Sequence, residues 1–135
     1  MASSPTSRSL DYCRKQGWTC QVVEKWIPQA KRRIDLFGCI DVVALDGNPL
    51  GIQACAGSSH AARRAKAIAE PRLQLWLDAG CRFEVWSWTK KGAAGKRKLW
   101  TLRREAVTLA DLSTDCRQVT AAIDAAKQGE QTDGL

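Results

Sequence analysis

The stretch "IDVVALDGNPLGIQACA", residues 40–56, decides how this chain reads. Two short apolar runs, 40–45 and 50–55, flank "DGNP", a strong turn signal, and together they predict a β-hairpin. Yet the first run opens with Asp41, and the second carries Gln53 and Cys55 on one side of the pleat. A carboxylate leading "VVAL" must be paired or hydrogen-bonded if buried, and groups so placed tend to mark function. Gln53 also has a purely structural reading, as an amide satisfied by backbone.

Outward from this hairpin, helix and strand patterns alternate. Residues 6–16 predict a helix capped by Ser7 or Ser9 and stopped by Gly17, with Leu10 and Cys13 on one face. "WTCQVVEKWI" (18–27) predicts one strand ended by Pro28, and "PQAKRRIDLFG" a polar connection. After the hairpin, Ser58 or Ser59 caps a helix through "HAARRAKAIAE", which Pro71 breaks or restarts. Leu73, Trp76 and Leu77 then keep helical spacing up to Gly80. "CRFEVWSW" (81–88) alternates as a strand, with Phe83 and Val85 on one face and Glu84, Trp86 and Trp88 on the other. A lysine-rich loop leads into the strand "LWTLR", and a last helix is predicted over roughly 114–127. Trp18, Trp26, Trp76 and Trp100 read as packing residues. Trp86 and Trp88 read either as a stacking platform for bases or as packing beneath the last helix. A meander followed by a helical crossover implies an α/β or α+β layer fold with a mixed sheet.

With 135 residues, 44% hydrophobic and 26% charged, the chain suits one globular domain. No run approaches the roughly 20 apolar residues of a membrane span. "MASSPTSRSLDY" lacks the apolar centre of a signal peptide, so a cytoplasmic protein without membrane contact is expected. Six cysteines (Cys13, Cys20, Cys39, Cys55, Cys81, Cys116) form no CxxC, and His60 is the only histidine, so they read as reduced core thiols.

The net charge of +7 is unevenly spread. Asp111, Asp115, Asp124, Glu130 and Asp133 against Arg117 and Lys127 leave −3 on residues 111–135, hence +10 on residues 1–110. That excess is clustered at 31–33, 63–66, 90–91, 96–98 and 103–104. Such a field attracts polyanions and makes their binding steeply salt-dependent, which favours nucleic acid over a merely soluble basic surface.

The element order α-β-β-β-α-β, with Asp41 opening one strand and Gln53-x-Cys55 in the next, resembles the PD-(D/E)XK nuclease superfamily. The likeness covers about residues 7–102. The segment "RRIDLFGCIDVVALDGNPLGIQACAGSSHAARRAK" is most similar to small single-domain members, among them archaeal-type Holliday junction resolvases and phage-borne nuclease-like proteins. The resemblance implies a restriction-endonuclease-like αβββαβ core, with a central mixed sheet flanked by helices, in one domain over 1–128 followed by a frayed tail, 129–135. It implies Mg2+ or Mn2+ held by carboxylates on adjacent strands. Asp41 matches the metal-binding aspartate, after Ile40 rather than proline. Gln53 falls on the second acidic position and Cys55 on that of the lysine, whose part a neutral thiol cannot take. The following helix offers Arg63, Arg64 and Lys66 instead, with Arg63 and Lys66 on one helical face. Asp35 reads equally as a turn-forming residue and as a ligand. Glu24 reads as a supporting acid or as a solvent-facing residue paired with Lys25 or an arginine. His60 reads as part of a helix N-terminus beside the site, with a water-positioning role as the alternative.

The resulting expectation is a metal-dependent DNA endonuclease that selects a junction, flap or end rather than a base sequence. Asp41, Gln53, Asp35 and Glu24 would hold metal, and Arg63 or Lys66 would replace the lysine. Lys31, Arg32, Arg33, Arg64, Lys90, Lys91, Lys96, Arg97 and Lys98 would grip DNA. Small relatives act as dimers, and the resemblance extends a homodimer to this chain. The alternative is a catalytically inactive nucleic-acid-binding protein on the same scaffold. A third reading gives the basic body acidic protein partners.

Overall fold

The computed structural model describes residues 4–112. The chain is α+β. Helix α1 (Pro5–Lys15) leads into strands β1 (Thr19–Val22), β2 (Lys25–Ile27), β3 (Arg32–Ile34), β4 (Val42–Asp46) and β5 (Asn48–Ala56). Helices α2 (His60–Ile68) and α3 (Pro71–Asp78) cross over to β6 (Arg82–Lys91) and β7 (Leu99–Ala106). The main sheet has the order β1-β4-β5-β6-β7. Only β5 and β6 are parallel, which is why two helices must lie between them.

The two faces of β5 bury different cores. Leu50 and Ile52 join Val42, Ala44, Trp86 and Cys13 under α1. On the other face Cys55 joins Cys39, Ile40, Leu73, Phe83, Val85 and Val107, against which Trp76 and Leu77 of α3 pack. Trp86, which has essentially no exposed surface, meets Tyr12 edge-on at 5.2 Å. Trp88 donates its indole N–H to Ser9 Oγ at 3.0 Å. Both therefore lie under the first helix, and the predicted last helix and tail fall outside the described residues. Of the four tryptophans expected to pack, Trp18 and Trp76 do. Trp26 and Trp100 instead stand 54% and 44% exposed.

Several boundaries move for identifiable reasons. The cap of α1 is Ser4, not Ser7 or Ser9, because Pro5 occupies the first helical position and Ser7 completes a capping box with Ser4. Ser59 stands at the N-cap of α2 without a side-chain capping bond, the turn being made by a 3-10 segment, Gly57–Ser59. A Cβ at Gly57 would lie 1.9 Å from Thr89 Oγ1, so a larger residue there would force the Thr89 side chain to move. The long strand expected over 18–27 divides. β1 pairs with β4 up to Val22–Val42, and the Val23 N–H still bonds Asp41 O at 2.8 Å. Beyond that point β4 offers no partner, so residues 25–27 pair with 32–34 from the stretch expected to be a connection.

Among the described residues no helix is long and apolar enough to cross a membrane, and the five cysteines among them are free thiols. The exposure of the tryptophans yields a first test. Trp86→Ala costs about 3–5 kcal/mol in urea unfolding, as buried large-to-small changes do. Trp26→Ala and Trp100→Ala cost about 1 kcal/mol or less. Equal losses at all three would contradict the packing described.

Candidate metal centre

The centre begins with a tight turn in "DLFGCID". Leu36 and Ile40 exchange backbone hydrogen bonds, 2.9 and 3.0 Å, around Phe37–Gly38–Cys39. The turn needs left-handed conformations at Phe37 (φ 51) and Gly38 (φ 75). With Leu36 and Ile40 opposed, the next pair outward is Asp35 and Asp41, which therefore project to the same side. Glu24 arrives by a second route: Val23 bonds to Asp41, and Glu24 leaves the sheet one residue later. Ligand oxygens of Glu24, Asp35 and Asp41 all lie within 4.8 Å of one another.

Asp41 is fixed on every side. Its N–H donates to Ile52 O at 2.9 Å. Its Oδ2 accepts the Ala54 N–H at 2.9 Å and the Gln53 amide N–H at 2.6 Å. Gln53 is 1% exposed, with Nε2 as the end of its amide placed toward Asp41. Its Oε1 is thereby left buried without a partner. An unpaired buried carbonyl oxygen costs about 1–3 kcal/mol, and Gln53 lines the same cleft of about 480 Å³ as the three carboxylates. A donor set made only of oxygens is of the kind that Mg2+ and Mn2+ take.

The electrostatics agree with that fit. Burial, a hydrogen bond to Asp35 and the charges of Asp35 and Glu24 push the Asp41 carboxyl up to about 8, against a smaller opposing effect of the Ala54 N–H. Arg33 reaches Glu24 at 3.5 Å and is the one cation ion-paired to the triad among the described residues.

The surroundings divide the remaining sequence candidates. Arg63 and Lys66, one helical face of α2, both line the cleft. Arg64, one residue on, points away to Glu105 (3.3 Å) and Asp111 (3.4 Å). Cys55 lines the cleft but sits in the apolar core, and burial pushes its thiol up, so it is neutral at ordinary pH. His60 is buried away from the carboxylates, with Nδ1 2.6 Å from Ser87 Oγ and Nε2 2.9 Å from Glu105 Oε1. It ties α2 to β6 and β7 and faces no open water. Lys31 and Arg32 are exposed on the β2–β3 hairpin, and Lys90, Lys91, Lys96, Arg97 and Lys98 at the β6–β7 end of the sheet. The first turn of α1 also walls the cleft, through Pro5 and Thr6. Nothing in the sequence pattern links that turn to Asp41, because the contact is purely tertiary.

No protein-family model matches the chain, and no curated protein or solved structure matches it significantly.

The raised Asp41 carboxyl makes stability depend on pH. A native pKa above the ordinary value means that the folded protein prefers the protonated form. That contribution is fully present below about pH 4 and is lost as pH rises through about 8. Thermal unfolding in chelator is therefore expected to show Tm falling between pH 5 and 9. Asp41→Asn should flatten this slope and raise Tm at pH 8. An unchanged slope in Asp41→Asn would show that the carboxyl titrates normally.

Proposed function

We propose that this protein is a divalent-metal-dependent nuclease acting on DNA, with a PD-(D/E)XK-type site departing from the common pattern at Gln53 and Cys55. The observation that carries this reading is the Glu24–Asp35–Asp41 carboxylate cluster in a cleft also lined by Gln53, whose Oε1 is buried without a partner, and by Arg63 and Lys66. Carboxylates alone are common on protein surfaces. A buried acceptor without a partner in the same cleft wall is one that a bound cation or an ordered water would satisfy.

Asp41, Asp35, Glu24 and Gln53 would hold the metal. Once bound, it would neutralise charge on a phosphodiester and make a coordinated water a stronger nucleophile. The protein's own share is positional. Ala54 N–H and the Gln53 amide hold Asp41 in one orientation. Arg63 and Lys66 supply positive charge from α2 in place of the strand lysine, a role open to them because neither is ion-paired among the described residues. Their position on the wall suits phosphate oxygens lying above the carboxylates. The exposed lysines and arginines at 31–33 and 90–98 would hold the backbone on either side, without base reading.

The second reading, a nucleic-acid-binding protein without catalysis, is favoured by one observation: the lysine position holds a buried neutral thiol. Cleavage assays on four-way junction, flap, duplex and single-stranded DNA, in magnesium, manganese or chelator, separate the two. Asp41→Ala is expected to lower metal-dependent cleavage more than about 100-fold while DNA binding persists. Arg63→Ala with Lys66→Ala should lower it about 10–100-fold. Cys55→Ala should cut at near wild-type rate. Salt-sensitive binding with no cutting in either metal would establish the non-catalytic reading, and undiminished cutting by Asp41→Ala would remove the site.

A further inference from the structure

The β2–β3 hairpin pairs with no strand of the main sheet. Its two roots are metal-centre residues: Glu24 immediately precedes β2, and Asp35 immediately follows β3. The hairpin therefore rises from the edge of the cleft, and whatever lies over the carboxylates lies beside it.

Its register says which side faces that occupant. Trp26 is directly opposite Arg33, and directly opposed residues of an antiparallel pair project to the same face. Arg33 lines the cleft and reaches Glu24, so the Trp26 face is the cleft-side face. The indole is 54% exposed there, although tryptophan is highly buried on average. Lys31, at the hairpin's turn, is exposed as well, while Arg32, opposite Ile27, lies on the other face. An exposed indole beside cations, next to a cleft of about 480 Å³, matches the way single-stranded nucleic acid is held: charge on the backbone and stacking on the bases.

We infer that the β2–β3 hairpin is a substrate finger. Lys31 and Arg33 grip backbone phosphates, and Trp26 stacks on an unpaired base beside the metal centre. This deepens the nuclease reading, on which it rests, by naming the substrate class. Bases inside an uninterrupted duplex are already stacked on both faces and offer the indole nothing. A base freed at a flap or branch offers it a face. The substrate is therefore DNA with an unpaired nucleotide next to the phosphate bound in the cleft.

The test is equilibrium binding of the full chain, in calcium, to a flap carrying 2-aminopurine at the branch and to a duplex of equal length. The 2-aminopurine emission should be quenched on binding by the wild type. Trp26→Ala should weaken flap binding about tenfold and duplex binding less than about twofold, with Trp26→Phe retaining most of the flap affinity. Wild-type flap affinity in Trp26→Ala, parallel losses on flap and duplex, or unquenched 2-aminopurine in the wild-type complex would each overturn the finger. If the same Trp26→Ala protein still cut DNA in manganese, the nuclease reading would stand without it. Absence of DNA binding by the wild type would overturn both.

Discussion

The two hydrogen bonds that hold Asp41 Oδ2, from the Ala54 N–H and the Gln53 amide, are the interaction on which the rest of the site depends. They join β4 to β5 at the point where the sheet stops being ordinary core. On one side of that point lie Val42, Ala44, Leu50 and Ile52, fully buried under α1. On the other, three carboxylates crowd within 4.8 Å and an amide oxygen goes unpaired. Each of these features opposes folding by itself, through repulsion, desolvation or a missing partner. A fold that maintains them together gives up stability at a place where a bound cation would restore it, a trade common at functional sites.

The positive charge follows a similar division between structure and function. Arg64, Arg72, Arg82 and Arg104 are committed to acids of the fold: Glu105 and Asp111, Glu70, Asp46, and Glu84 respectively. Arg104 also lies over the rings of Tyr12, Trp18 and Trp86, sealing the α1 side of the sheet. Sequence clusters such as "RRAK" and "RR" therefore mix side chains of different purpose. Neighbours on α2 diverge by helical geometry alone, with Arg63 and Lys66 on the cleft and Arg64 on the far side. Among the described residues, Arg63 and Lys66 at the cleft wall, Lys31 and Arg32 on the β2–β3 hairpin, and Lys90, Lys91, Lys96, Arg97 and Lys98 at the β6–β7 end carry no ion pair, and a polyanion can reach them there.

The local part of this arrangement is legible in the sequence. The strand–turn–strand at 40–56, the alternation of Phe83 and Val85 against Trp86, and the helix restarting at Pro71 all follow from periodicity and turn chemistry, although the expected turn shortens to Gly47, with Asp46, Asn48 and Pro49 taken into the strands. The grouping of Glu24, Asp35 and Asp41 was open to two readings from sequence. What brings the three together is a register, Leu36 against Ile40 and Val23 against Asp41, that no local propensity encodes. The division of residues 18–27 was hidden for the same reason: Val22 and Trp26 are equally good strand formers, and only the end of β4 separates their partners. Trp26 and Trp100 were misread because size predicts burial only when neighbours are available to cover it.

Manganese soaked into crystals of the protein, located by its anomalous scattering, tests the centre most directly. The expected result is one strong peak within ligand distance of Asp41, the carboxylates of Asp35 or Glu24, and Gln53 Oε1. A map with no peak there, and with Gln53 Oε1 accepting instead from a protein group or an ordered water, would contradict the assignment. The carboxylates would then be a cluster tolerated by the fold, and the basic surface would act without a metal.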